Sequence, residues 1–324
     1  MSSGPEQPGN VGRAAARLGG FLTGVLGAAL VVLLVGSIVF FAFRLLPGDP
    51  AALVLGDQAS EAERALLRAR LHLDEPLTHQ YARFLASLAH GHVGPSLRRP
   101  DLDAARIVLE ALPSTAALAT ISVCLGSCLG IALALSSVAA RPGALGRLAD
   151  RLIAIGASVP LLAFAPVATW VLAVRLRWVP LPADPDAGVR GLLYAAALLS
   201  LPLGAAVARI ARASLEVAAK SPFLQVARAK GLDAPRVWIV HALPTCIGPI
   251  VTVVAAQLGA LLGGAVVLER LLERRGLGTV LAEALAARDL PVIEATVIVS
   301  AALFVTVQAA GTQIHAALDP RARS

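Results

Sequence analysis

The stretch SPFLQVARAKGLDAPRVWIVHALP, residues 221–244, decides how this chain is organised, because it places a short basic helix between two long apolar runs. Ser221 is a favoured N-cap residue, and Pro222 suits the first turn, where the N–H that it lacks would be unpaired anyway. Gly231 can adopt the left-handed conformation that ends a helix. The pattern therefore predicts a helix of about nine residues, about 13 Å long, which is too short to cross a membrane.

A second helix is predicted directly after this one. Asp233 can cap the segment APRVWIVHAL, which runs through Pro244 into the next apolar stretch. Phe223, Val226 and Ala227 give the short helix an apolar face. Because an isolated helix of this length is marginal in water, some surface must hold it. The residues alone leave open whether that surface is lipid or another protein.

The remainder of the chain has the composition of a membrane protein, since 57% of its 324 residues are hydrophobic and only 15% are charged. Stretches without Asp, Glu, Lys or Arg cover residues 18–43, 111–140, 152–174, 191–208, 237–268 and 295–318. A helix needs roughly 20 residues to cross the hydrocarbon core. We therefore expect an all-α membrane protein with about six transmembrane helices, the first of which is too long for a signal peptide.

The distribution of charge predicts the orientation of these helices. Residues 141–151 contain three arginines and one aspartate, and residues 209–236 contain six basic and two acidic residues. By contrast, residues 269–289 balance four arginines against four acidic residues. Because cytoplasmic segments carry the excess of Lys and Arg, both termini are expected in the cytoplasm.

Five segments follow from these boundaries. They are a tail (1–17), the first helix (18–43), an external helical insertion (44–110), the permeation core (111–318) with its internal loop (209–244), and a second tail (319–324). In the insertion, Ser60 and Glu63 form a capping box, and a further helix from Pro76 carries an apolar face. The insertion is too small to fold alone, so it must pack on the outer helix ends or on another protein. Residues 101–113 read as an interfacial amphipathic helix and 141–151 as a turn.

Few residues offer chemistry of their own. Lys220 and Ser221 lack the preceding glycines of a phosphate-binding loop, and His90 and His92 lack further metal ligands. Inside the spans, Gln257 and Glu294 are candidates for the substrate pathway, with helix packing or interfacial water as the alternative. A membrane peptidase and an ion-coupled secondary transporter remain rival classes. Cys124, Cys128 and Cys246 read as small buried thiols.

Residues 221–244 resemble the cytoplasmic EAA loop of permease subunits from bacterial binding-protein-dependent ABC importers. In that pattern, E-A-A is followed by three residues, glycine, nine residues and I-x-L-P. Here Gln225 to Ala227 take the E-A-A places, Gly231 follows in register, and Leu243 and Pro244 end the motif. RLLPGDP (44–50), LGALLGGAVVLE (258–269), GLG (276–278), ARDLPV (287–292) and LDPR (318–321) resemble the B-type dipeptide and oligopeptide branch. Gln225, His92 and Arg275 depart from the usual residues of that branch.

The resemblance implies a type I ABC importer permease fold and an ATP-driven peptide importer, or a nickel or glutathione importer of the same branch. It implies as partners a second, C-type permease, two ATPase subunits, an external substrate-binding protein and membrane lipid, without nucleic acid. ATP and Mg would be bound by the ATPase subunits, so this chain would hold no cofactor, metal or catalytic residue. The residues implied to contact the ATPase or fix the corner are Gln225, Val226, Ala227, Arg228, Ala229, Lys230, Gly231, Asp233, Leu243 and Pro244.

Overall fold

The computed structural model describes residues 10–45, 50–56, 59–141, 143–181, 187–264, 266–272 and 274–318. Within these ranges the chain consists of helices joined by turns and short irregular segments. The α-helices are α1 (Asn10–Leu45), α2 (Pro50–Leu55), α3 (Glu61–Arg70), α4 (Leu77–Ala89), α5 (Ala104–Ala139), α6 (Ala144–Ser158), α7 (Leu161–Thr169), α8 (Gly188–Ala219), α9 (Pro222–Ala229), α10 (Ala234–Arg236), α11 (Ile247–Gly264), α12 (Val266–Leu271), α13 (Leu277–Ala287) and α14 (Leu290–Leu318). A π-helix follows α7 at Trp170–Arg175. Another π-helix, Val237–Ala242, and a 3-10 turn, Leu243–Cys246, join α10 to α11.

Five of the described helical segments are long and apolar enough to cross a membrane, and a bent pair brings the number to six. The five segments are Leu26–Arg44, Ala104–Ala139, Gly188–Ala219, Ala234–Gly263 and Leu290–Leu318. The third predicted span, 152–174, is wrong as a single helix, because α6 and the α7 segment meet at 102°. Pro160 lies at this break and disfavours helical backbone in Val159, which is extended.

Several helices extend past the predicted ends of the apolar runs. The expected interfacial helix 101–113 is the beginning of α5, which Asp103 caps by accepting the Ala105 N–H at 2.8 Å. Most of the expected turn 141–151 belongs to α6. Residues 10–17 of the predicted tail are helical, whereas 319–324 lie outside the described residues. An apolar run marks the lipid-facing length of a helix, but the helix itself continues until a cap or a proline ends it.

The centre of the bundle is the close pairing of α5 and α8. A Cβ atom on Gly130 would lie 2.5 Å from the Gly204 carbonyl oxygen, and one on Gly126 would lie 3.0 Å from that of Ser200. Glycine is therefore required where these two backbones meet. Since the contact positions advance together along both helices, α5 and α8 run in the same direction. Their final turns, and α9 after them, lie opposite the end that carries α2–α4, which we call the insertion end.

The insertion packs on the bundle, as expected. Phe84 of α4 joins Phe40 of α1 and Ile298 of α14 in a buried cluster, and the Tyr81 and Ser37 hydroxyls are hydrogen-bonded at 2.6 Å. The predicted capping box of α3 is confirmed, because Ser60 and Glu63 exchange backbone-to-side-chain hydrogen bonds. The apolar face of α4 is thus covered by α1 and α14 of the same chain.

Candidate functional site

Helix α9 presents two different faces. Leu224 is fully buried and Ala227 is buried, both within a cluster that includes Leu215 of α8. Phe223 and Val226 remain 47% and 53% exposed. The prediction that Phe223, Val226 and Ala227 share one face was therefore wrong for Ala227, which lies on the buried side of α9. The buried pair fixes α9 to the bundle, and the exposed pair is available to a partner.

The caps of this corner are formed by the backbone more than by side chains. Gly231 has a φ of +77°, so the predicted left-handed end of α9 is confirmed. Ser221 occupies the N-cap position of α9, but its hydroxyl donates to the Ala218 carbonyl oxygen. Asp233 likewise precedes α10 without a side-chain capping bond. Both residues therefore occupy the predicted N-cap positions without a side-chain capping bond, and the turn depends on proline in the first turn of each helix and on Gly231.

The second arm of the corner is an irregular helix. Trp238, in the π-helix, is buried, and the Arg228 guanidinium lies 5.3 Å from its ring centroid. Leu243 packs on the same cluster as Leu224. Pro244 stands at the start of the 3-10 turn, where its missing N–H interrupts the helical hydrogen-bond ladder. A cation over an aromatic face adds about 0.5–1 kcal/mol at an exposed site, so Arg228 helps to join the two arms.

The exposed surface of the corner combines apolar and basic groups. Phe223 and Val226 are surrounded in sequence by Lys220, Arg228 and Lys230, all of which are exposed. Gln225 is also exposed, and its amide nitrogen lies 3.5 Å from the Lys220 carbonyl oxygen. Among the candidate residues Ala229, Gly231, Asp233 and Pro244 are exposed as well. The site can therefore contact a partner, while its residues show no arrangement for bond-breaking chemistry.

The two candidate pathway residues both contact neighbouring helices. The Gln257 amide on α11 donates to the Leu203 carbonyl oxygen of α8 at 3.3 Å. Glu294 of α14 accepts a hydrogen bond from Arg44 of α1 at 3.1 Å. Arg44 also donates to Gln80 of the insertion, at 3.0 Å. Both residues therefore join neighbouring helices, and their role in the substrate pathway stays a prediction.

A cavity of about 530 Å³ lies between the insertion and the adjoining ends of α1 and α14. Its polar lining includes Arg44, Gln80, Arg83 and Glu294. Hydrogen bonding to Arg83 lowers the pKa of the nearby Glu75 carboxyl from its ordinary value. The insertion is therefore held over this cavity by charged groups as well as by the aromatic cluster.

The sequence reasoning missed a buried carboxylate at the insertion end. Glu269 of α12 is 1% exposed and accepts hydrogen bonds from the Thr115 hydroxyl at 2.6 Å and the Gly278 N–H at 2.8 Å. A Cβ atom on Gly276 would lie 2.3–2.4 Å from this carboxylate, so glycine is required there. The sequence offers one sign of this residue: Glu269 directly follows the charge-free run 237–268 and precedes GLG (276–278).

A second missed carboxylate fixes the insertion near its end. Asp289 is buried between α13 and α14, accepts a hydrogen bond from the Ser96 hydroxyl, and accepts the Leu97 N–H at 3.1 Å. Arg288 precedes it in a left-handed conformation, with φ of +54°. The predicted ARDLPV segment therefore connects the insertion to the bundle through one side chain.

The cysteines and histidines do not form a metal site in the described residues, which contain no group of three potential protein ligands. Cys246 is buried as expected, but Cys124 and Cys128 are exposed in the isolated chain, so their predicted burial was wrong. These two residues lie on the face of α5 turned away from α8. His92 contacts Asp103 at 3.4 Å.

Comparisons with known proteins agree over nearly the whole chain. The family described as binding-protein-dependent transport system inner membrane component matches residues 126–324, and the N-terminal component of such systems matches residues 20–99. The glutathione transport system permease protein of Pectobacterium atrosepticum is 33% identical over 309 residues, covering 94% of this chain and 98% of that protein. The protein of the same name from Escherichia coli K12 is 32% identical over 305 residues, covering 92% and 97%. A solved structure, the crystal structure of an amino acid ABC transporter with histidines, aligns with 17% identity and a TM-score of 0.46 over 67% of this chain and 94% of that chain.

The helical fold and these matches define the permease subunit of an ABC importer, a multi-pass protein of the inner membrane. The chain belongs to the binding-protein-dependent transport system inner membrane component family, in its B-type peptide and glutathione branch. The predicted type I permease fold is confirmed by this membership. Permeases of this family work with ATPase subunits and a substrate-binding protein, so the secondary-transporter and peptidase alternatives are set aside.

Proposed function

We propose that this permease forms half of a translocation pathway for peptides. We also propose that α9 and its corner contact the ATPase subunits and transmit the movement that ATP hydrolysis drives. The other half of the pathway is a second, C-type permease. Two ATPase subunits bind ATP and Mg, and an external substrate-binding protein delivers the solute. The chain itself holds no cofactor and no ATPase site, consistent with the absence of a phosphate-binding loop from its sequence.

The observation that carries this proposal is the exposed pair Phe223 and Val226 on a helix whose opposite face is buried. Burying an apolar side chain completely stabilises an interface by about 1.5–3 kcal/mol, so covering the exposed half of each contributes about 2 kcal/mol for the pair. Lys220, Arg228 and Lys230 add positive charge around it. The matching surface on the ATPase is an apolar groove with carboxylates at its rim.

The same observation argues against lipid as the principal partner of α9. A helix that lies in the membrane interface directs its whole apolar face into the acyl boundary. Here Leu224 and Ala227 are directed into the protein, and two exposed apolar side chains remain for the membrane. A rigid helix with a small apolar patch and several cations fits a shaped protein groove better than a fluid bilayer.

This assignment sets the orientation of the chain. The α9 corner faces the cytoplasm, where ATP is hydrolysed, and the insertion faces outward, where the binding protein delivers its substrate. Segments 141–151 and 209–236 then lie inside with their excess of basic residues. Both termini fall on the cytoplasmic side. Protease accessibility of inside-out vesicles tests this, because cleavage near Gly231 is expected there and not in right-side-out vesicles.

The docking role is tested by placing a charge in the exposed pair. Val226→Glu introduces a buried carboxylate at the interface, so the purified permease complex is expected to lose its ATPase subunits and its ATP-driven uptake. Val189→Glu is the matched control, since Val189 is 69% exposed at the opposite end of α8. The proposal fails if Val226→Glu retains both ATPase binding and uptake at the level of the control.

The substrate class is proposed from the branch to which the chain belongs. The named relatives transport glutathione, a tripeptide, and the resemblance extends to dipeptide, oligopeptide and nickel importers. We expect a small peptide to be carried, with the receptor choosing among peptides. Uptake into proteoliposomes that contain the complete importer and its receptor should be compared for a dipeptide, a longer peptide, glutathione and a nickel chelate. Uptake of the nickel chelate alone would contradict the peptide assignment.

A further inference from the structure

Four charged side chains form a closed set of ion pairs near α9, and we call Arg141, Asp150, Arg212 and Glu216 the charge ring. Arg141 contacts Asp150 at 3.0 Å and Glu216 at 2.9 Å. Arg212 contacts the same two acids, at 2.8 Å and 3.1 Å. Ser137 also donates a hydrogen bond to Asp150. Each arginine therefore bridges both carboxylates, and the ring is electrically neutral.

The ring connects α6 and α8 to the turn that follows α5. Arg141 follows α5, Asp150 belongs to α6, and Arg212 and Glu216 lie one turn apart on α8. The four side chains are 30–42% exposed, so an isolated pair among them would contribute little. A network with two bridging guanidinium groups fixes geometry better than isolated pairs do, because each planar group offers several donors in a rigid arrangement.

The same two turns of α8 carry two of the ring residues and pack against α9. Ala211 and Leu215 belong to the buried cluster that holds Leu224 of α9. Arg212 and Glu216 are the next residues in sequence, and thus lie about 100° further around the same turns. A displacement of α9 acts on this part of α8 and reaches the ring without an intervening flexible segment.

Helix α6 packs on α8 through Gly156, where a Cβ atom would lie 3.0 Å from the Ala205 Cβ, and the ring adds an ionic contact to this packing. Along their length α5 and α8 are already joined by glycine-mediated backbone contact at Gly130 and Gly204. Helix α6 leaves α5 through a short connection and ends in the 102° bend toward α7. Asp150 of α6 contacts Arg212 of α8 and Arg141 of the turn after α5 at the same time.

We infer that the charge ring is a brace that makes α5, α6 and α8 move as one body when α9 is displaced. This inference rests on the proposed docking role of α9. Arg141, Asp150, Arg212 and Glu216 act as positioning residues, since they transmit movement and contact no substrate. Without the brace, α8 would follow α9 while α6 lagged behind.

Distance measurement between nitroxide labels tests the brace in the complete permease and ATPase complex. Labels at Leu148→Cys on α6 and Val217→Cys on α8 span the ring, with Cys124 and Cys128 replaced by alanine. With the ring intact, this distance is expected to stay the same in the nucleotide-free state and with a non-hydrolysable ATP analogue. In Asp150→Asn the same distance is expected to shift by several ångströms between the two states, and Asp150→Glu is expected to restore the constant distance.

Controls separate the brace from general stability and from docking. Glu110→Gln breaks an exposed ion pair with Arg106 at the insertion end and should leave the distance constant. A second label pair, Val217→Cys on α8 with Ile314→Cys on α14, reports movement of α8 relative to a helix that the ring does not contact. If that pair moves with nucleotide but the Asp150→Asn distance stays constant, the brace is refuted while docking stands. If neither pair moves, the docking role itself fails. If Asp150→Asn does not assemble, Glu216→Gln is measured in its place, and a constant distance in that variant refutes the brace.

Discussion

Replacing Gly231 tests the corner of α9 through the backbone alone. Its φ of +77° lies in the left-handed region, and among the described residues other than its chain neighbours no atom lies within 4 Å of the position that a Cβ would take. Any cost of substitution therefore comes from the backbone conformation and not from a clash. That conformation costs a residue with a Cβ roughly 1–2 kcal/mol, more for a β-branched residue and less for asparagine.

These costs predict an order of function: glycine above asparagine, asparagine above alanine, and alanine above valine. A cost of about 2 kcal/mol in Gly231→Val shifts the balance between this corner and relaxed conformations by about thirty-fold. We expect that variant to insert normally and to lose ATP-driven uptake, while the receptor still binds its ligand. Purified complexes should be compared for retained ATPase subunits and for uptake in proteoliposomes. Wild-type uptake by Gly231→Val, or asparagine as harmful as valine, would refute the reasoning.

The remaining predictions concern stability, measured as thermal unfolding in detergent. Glu269→Gln is expected to lower the free energy of unfolding by about 2 kcal/mol, because an amide cannot accept all the hydrogen bonds that the buried carboxylate accepts. Glu283→Gln is the control and should leave the free energy of unfolding unchanged, because Glu283 is exposed. Gly130→Ala should cost about 1–3 kcal/mol by forcing α5 away from α8, and an unchanged unfolding temperature would contradict the tight contact. Glu294→Gln should cost about 2 kcal/mol, less than a fully broken buried pair, because two hydrogen bonds from Arg44 remain. An unchanged unfolding temperature would show that the ion pair does not stabilise the packing of α1 on α14.

Features that depend on neighbours in sequence could be predicted well. The capping box at Ser60 and Glu63 follows from a spacing of three residues. The left-handed end of α9 follows from Gly231 after a helical pattern. The number of spans follows from apolar length, since the bilayer fixes how many residues a helix needs. Each of these depends on a rule that acts within one continuous segment of the chain.

Features that depend on distant residues could not be predicted in this way. Thr115 and Glu269 are 154 positions apart, and Ser96 and Asp289 are 193 apart, so no periodicity connects either pair. The four residues of the charge ring were counted in the sequence only as part of the net charge of residues 141–151 and 209–236. That count predicts the orientation of the helices but not which charged residues pair. The break in the third span did have a signal, Pro160, but a reading based on charge-free length passes over a proline.

The two ends of the bundle hold their carboxylates by different physical means. At the insertion end Glu269 and Asp289 are almost completely buried and are satisfied by hydroxyl and backbone N–H donors. Near α9, Asp150 and Glu216 are partly exposed and are satisfied by arginines. Salt screens exposed charges over about 10 Å at 0.1 M and affects buried hydrogen bonds much less. Raising the salt concentration should therefore loosen α6 from α8 while the insertion stays fixed. The ring that braces α6 against α8 is therefore the ionic-strength-sensitive attachment of this chain, whereas the attachment of the insertion through Asp289 is not.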